Sequence, residues 1–183
     1  MIRTHPSTPP AARQNGAALV TGLIFVVVLT IIGITAARMA SLEERMAGNM
    51  RDRALAMQAA ELALRDAERD ILGLGTAPRS PAISGISSFN ATCQAGLCYN
   101  GTGGFTTPVW LSFSMTGTPS VAYGTFSGAA AIPLVDDPPR YLIEGFRKQA
   151  PGSGGDTFFY RITVRAVGAN ANTVVWLQEV FKP

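Results

Sequence analysis

An α+β chain, with one long N-terminal helix laid on a C-terminal antiparallel β-sheet, is what this sequence predicts, and three observations carry the prediction. The first is an uncharged run of 21 residues from Ala17 to Ala37, AALVTGLIFVVVLTIIGITAA, bounded by Arg13 and Arg38. The second is a proline-free stretch from Met39 to Leu72 in which apolar residues recur every three or four positions. The third is a set of three aromatic and β-branched runs near the C-terminus, separated by turns with Gly and Asn. A striped helix and a one-faced sheet each bury what the other exposes. Composition agrees: 183 residues, 47% hydrophobic and 15% charged, fit one modest domain plus an appendage and exclude a mainly disordered chain. The net charge of +3 includes only two lysines, Lys148 and Lys182, and no Lys/Arg cluster, which argues against a nucleic-acid partner.

Residues 1–16 form a polar leader, MIRTHPSTPPAARQNG, with Arg3 and Arg13, no acid and three prolines that disfavour helix. Residues 17–37 are long enough to span a bilayer, since ~1.5 Å per helical residue carries them across a hydrocarbon core of ~30 Å. The cations of the leader put the N-terminus in the cytoplasm and everything after Arg38 in the periplasm. A secretory signal is cut after its apolar run. Here the expected cut lies before it, at Gly16, which leaves Ala17 as a new terminus and the span in place.

Residues 38–72 continue as a periplasmic amphipathic helix. Its stripe is Leu42, Met46, Met50, Ala54, Met57, Ala60, Leu64, Ala67 and Ile71, expected to pack on a sheet, with methionine filling irregular gaps. The spacings Glu61 to Arg65, Arg65 to Glu68 and Asp66 to Arg69 read as a solvated charged face. Ser41 and Glu44 fit a capping box that would restart a helix, although the Ala-rich flanks favour continuity. Gly73 and Gly75, followed by Pro78 and Pro81, end the helix.

Residues 73–183 make a β-rich globular domain. Strand candidates are 109–115 (VWLSFSM), 120–126 (SVAYGTF), 141–146 (YLIEGF), 158–167 (FFYRITVRAV) and 173–181 (TVVWLQEVF). In the fourth, Tyr160, Ile162 and Val164 point to a buried face and Arg161, Thr163 and Arg165 to a wet one. Residues 168–172 (GANAN) form a hairpin loop. Cys93 and Cys98 are expected to form a small-loop disulfide under periplasmic exposure. Zinc lacks partners, because the one His lies in the leader. No catalytic set emerges, because Glu43 and Glu44 diverge by about 100° on a helix. Asp136 and Asp137 read as an exposed turn, with calcium binding through oxygen ligands as the alternative. The GSGG of residues 152–155 lacks the Lys of a phosphate loop and reads as a strand connection.

Residues 13–68, above all ERMAGNMRDRALAMQAAELAL at 44–64, closely resemble the N-terminal region of PilX-type minor pilins of the type IV pilus. YRITVRAVGANANTVVWLQEVF at 160–181 resembles the closing hairpin of the same family, while 73–140 match nothing familiar. The resemblance implies a pilin-like fold, cleavage after Gly16 by a prepilin peptidase and N-methylation of Ala17. Most pilins carry Glu as the fifth mature residue, and here, as the resemblance to PilX implies, the fifth departs from it and is Thr21. That departure is shared with GspK-like pseudopilins, and it implies a subunit at or near the tip, where one axial neighbour is missing; back-bonding of Thr21 within the helix is the plainer alternative. Implied partners are other minor pilins, the major pilin, prepilin peptidase, inner-membrane lipid and the pilus assembly machinery, with no cofactor. The implied location is a single-pass inner-membrane protein before assembly and an extracellular fibre after it. Priming of assembly is the implied role, with twitching motility and adhesion as downstream traits. The alternatives are a type II secretion pseudopilin and a single-pass anchored periplasmic binding domain.

Overall fold

The computed structural model describes residues 16–80, 82–99, 108–149 and 155–183, so the leader through residue 15 and most of the GSGG segment lie outside the described residues. The first element, α1, runs from Ala17 to Leu72. Ser41 does not restart a helix: its hydroxyl donates to the Arg38 carbonyl at 3.0 Å within α1. Gly73 stops the helix by taking φ +67, a left-handed value that glycine adopts without steric cost. The Leu74 amide then donates to the Arg69 carbonyl at 2.8 Å and the Gly73 amide to the Asp70 carbonyl at 3.1 Å, which closes the last turn in a Schellman motif.

Two compact units divide the chain between Ala47 and Gly48. In the first, every described residue of α1 is exposed. The second contains the remainder of α1 and a five-stranded mixed sheet. Its strands are β1 (Leu97–Cys98), β2 (Val121–Ala122), β3 (Arg140–Lys148), β4 (Thr157–Val167) and β5 (Val174–Phe181). The order is β1-β3-β4-β5, with β2 also paired to β3. β3, β4 and β5 form an antiparallel meander, with Ile143 opposite Ile162 and Ile162 opposite Glu179. The expected all-antiparallel sheet needs one correction: β1 runs parallel to β3, Leu97 opposite Ile143. A parallel pair requires a long crossover, and residues 99–139 supply it.

Two strand expectations also change. Residues 109–115 begin with a short helix, α2 (Val109–Ser112), because a short apolar run does not by itself distinguish helix from strand. Of residues 120–126 only β2 is extended, and Gly124 turns the chain away at φ +81.

The packed stripe of α1 keeps the expected Ala60, Leu64, Ala67 and Ile71 and differs before them. Leu42, Met46, Met50, Ala54 and Met57 are exposed, and the buried face is Ala56, Ala59, Ala60, Ala63, Leu64, Ala67 and Ile71. Volume explains the change. The sheet presents Tyr141, Ile143, Tyr160, Ile162 and Val164, with Phe89 stacked on Tyr160 at 5.6 Å, so small helical side chains let the two layers close to native density. The face of β4 expected to be wet is covered in part. Leu142 is buried there with Cys93, Cys98, Val109 and Met115 in a second, smaller core, and Trp110 and Phe113 pack against it.

Candidate functional site

From Ala17 to Ala37, α1 offers only apolar surface. Its most hydrophobic 18-residue window has a mean hydropathy of 2.8 and none of it is buried. The span's three hydroxyls bond within the helix: Thr21 to the Ala17 carbonyl at 2.8 Å, Thr35 to the Ile32 carbonyl at 2.9 Å, and Thr30 to the Val26 carbonyl. That leaves no hydrogen-bonding side chain seeking an outside partner, which is what a hydrocarbon environment demands. Thr21 therefore occupies the fifth position after Gly16 without charge and with its donor in use. Gly16 lies one residue ahead of α1, exposed, and a Cβ there would touch nothing within 4 Å.

Beyond the span, exposed apolar residues persist on α1 among charges. Met39, Leu42 and Met46 are exposed in the first unit, and Met50 and Met57 in the second. The second unit fastens its own part of α1 with three carboxylates that composition and spacing do not reveal. Asp70 receives a bidentate bond from Arg79, at 2.7 and 2.5 Å, and the Tyr141 hydroxyl donates to it at 3.1 Å. Burial and the negative charges of Asp70 and Asp66 raise the Tyr141 phenol far above its ordinary value, so it stays a donor. Asp66, expected on the solvated face beside Arg69, is instead buried and accepts bonds from the Ser127 hydroxyl and from the Gly124 amide at 2.9 Å. The faint signal was an i,i+4 pair of acids on the alanine-rich face.

Asp52 holds the β4–β5 turn. Its carboxylate accepts the Ala169 amide at 2.6 Å, and hydrogen bonds from Thr173, Ala169 and Asn170 lower its pKa against a smaller desolvation effect. Gly168 is required there, since any Cβ would collide with that carboxylate. Arg65 bonds Glu68 through both carboxylate oxygens, at 3.0 and 2.9 Å. Glu179 on β5 is raised by desolvation and by its hydrogen bond with Glu68.

Cys93 and Cys98 are joined in a disulfide, both fully buried. Asp136 and Asp137 are exposed, and among the described residues no group of three His, Cys, Asp or Glu side chains is placed to hold a metal ion. Thus the structure brings the two cysteines together and keeps Gly16, Ala17 and Thr21 on one exposed helix end.

Two family models match the chain. The PilX N-terminal model covers residues 15–65, and the model described as type IV pilus assembly protein PilX C-term covers residues 94–183. The second match extends well upstream of the hairpin at 160–181 that carries the C-terminal resemblance. No curated protein and no solved structure gives a significant match.

Proposed function

This chain belongs to the PilX family of type IV pilus minor pilins, and from that membership we propose a specific route by which it works. A prepilin peptidase cuts after Gly16, Ala17 becomes the N-methylated terminus, and the span from Ala17 to Ala37 holds the subunit in the inner membrane with its globular unit in the periplasm. Subunits leave the membrane when their helices exchange lipid for the helices of other minor pilins and the major pilin. The exchange adds little net hydrophobic gain, because lipid is as apolar as leucine, so close packing decides it. The resulting complex primes assembly and ends at or near the tip, with twitching motility and adhesion as its downstream traits.

One observation carries this reading: a helix surface that is uncharged, exposed along its length and internally satisfied at every threonine of the span. Thr21 supports the tip position. A carboxylate at that place neutralises the buried amine of a neighbour, and an unpaired charge in a membrane is costly. A subunit with Thr21 offers no such carboxylate to a subunit joining along the fibre. The test is immunogold labelling of the globular unit on sheared and cell-attached pili, for the native chain and for Thr21→Glu. Labels at fibre ends for the native chain, and along the shaft or at altered pilus number for the variant, support the reading. Labels scattered along the shaft in both, with equal pilus number, overturn the tip assignment.

A further inference from the structure

The chain has two tryptophans, and both line the same shallow, open cavity of about 200 Å³ on the sheet face opposite α1. Trp110 and Trp176 form its aromatic walls, together with Leu177, and Thr163 and Gln178 supply its polar groups. The cavity is held by fixed supports. Trp110 rides on α2, whose Val109 is buried in the second core beside the Cys93–Cys98 disulfide. The Arg161 guanidinium lies 5.9 Å from the Trp110 ring centroid and is itself clamped by Glu144 at 2.7 and 2.6 Å. Thr163 and Gln178 face each other across β4 and β5, and the Gln178 amide nitrogen donates to the Thr163 hydroxyl at 2.8 Å. Among the described residues the Gln178 carbonyl oxygen and its second N–H have no other partner and can serve a ligand.

Charge adds a direction. Arg165 sits directly opposite Trp176 in the β4–β5 register and opposite Arg140 in the β3–β4 register. Arg140 is occupied, its guanidinium donating to the hydroxyl and carbonyl of Ser120. Arg165 is half-buried and, among the described residues, has no hydrogen-bond or ion-pair partner. The Asp137 carboxylate already acts on Arg140, whereas Arg165 has no such acid among the described residues; two arginines facing each other across a strand pair repel, and an anion at Arg165 relieves the rest of that cost.

We propose that this cavity is a binding site for an acidic saccharide, one pyranose ring lying against the indoles and its carboxylate paired with Arg165. The chemistry matches on three counts. A pyranose has an apolar C–H face that suits an indole, hydroxyls that suit a free amide, and here a carboxylate that suits an unpaired guanidinium. The cavity is below the ~300 Å³ at which drug-sized sites begin, which favours a single ring. A docking face for a protein chain would bury a broader apolar area instead. This inference goes beyond the assembly role and does not depend on it.

The pair of tryptophans supplies its own readout, because all indole emission of the chain arises at the site. The full chain in detergent is titrated with trigalacturonate and, in parallel, with neutral maltotriose. Saturable quenching by the acidic sugar, weaker at high salt, is expected. Trp176→Ala, which keeps Trp110 as reporter, is expected to weaken binding by about tenfold or more. Arg165→Gln is expected to bring the acidic sugar down to the level of the neutral one, and Trp176→Phe to restore most of what Trp176→Ala loses. Absence of quenching by both sugars, or an equal response to both in the native chain, overturns the proposal. A blue shift that depends on protein concentration alone also overturns it, since a second copy would then be the occupant.

Discussion

Helix α1 is written in two chemistries, and the difference shows what each part is for. Up to Ala37 it is built from Leu, Ile, Val and Phe, with no ionisable side chain and no buried residue. From Asp52 to Ile71 the face that packs is alanine, and acids stand within it at positions 52, 66 and 70. Large apolar side chains without tertiary partners suit a changing environment of lipid or other helices. Small side chains with hydrogen-bonded acids suit one fixed partner, because each carboxylate tolerates burial only where its donors are in place. The first part is adaptable and the second is specific.

The sharpest way to break that contrast is Asp70→Ala. Removing the carboxylate strands the buried Arg79 and the Tyr141 hydroxyl, and loss of one partner from a buried pair costs about 3–5 kcal/mol. Near-UV circular dichroism of the detergent-solubilised chain is expected to show a large drop in melting temperature. An unchanged melt would mean that the acid face is not what fixes the helix to its sheet. Next in size is Ala60→Leu on the closely packed face, where overpacking costs about 1–3 kcal/mol. Val27→Leu in the span is the control, expected within about 0.5 kcal/mol by the same melt.

The smallest effect concerns Glu179. Its folded pKa is raised, chiefly by desolvation and then by Glu68, so the protonated form is the one the fold favours. The stabilisation is complete below the ordinary Glu value and is lost as pH rises through the folded pKa. Glu179→Gln should therefore raise the melting temperature at neutral pH and make little difference in acid. A larger gain in acid than at neutral pH would reverse the assignment. Asp52 has the opposite sign: its depressed pKa gives support that is present at neutral pH and fades only as pH falls below the ordinary carboxylate value.

Much of this architecture was legible in the sequence because it follows from long, simple patterns. An uncharged run of 21 residues and three β-branched runs report themselves by composition. The buried face of α1 did so only in its last part, at Ala60, Leu64, Ala67 and Ile71; before them periodicity selected Met46, Met50 and Met57, while the sheet required Ala56 and Ala59. Asp66 read as solvent-facing and Asp70 carried no signal of its own, because Ser127, Gly124 and Tyr141 come from distant parts of the chain and Arg79 from beyond the helix end. The covered outer face was missed for a similar reason. It depends on a disulfide-bearing loop and on α2, whose short apolar run imitates a strand. At the helix start the contacts are local, the Thr21 hydroxyl donating to the Ala17 carbonyl and the Val20 amide to the Gly16 carbonyl.

On the proposed route, removal of the leader leaves Ala17 as the start of α1, and the first part of the helix then passes from membrane to filament. Intact-mass measurement and N-terminal sequencing of the native chain and of Gly16→Val, each extracted from hosts with and without prepilin peptidase, test it most directly. The expected result is a peptidase-dependent start at Ala17 carrying one added methyl group in the native chain, and an unprocessed Gly16→Val that is absent from pili. A native chain that starts at Met1 in both hosts would contradict it and leave the helix as a simple anchor.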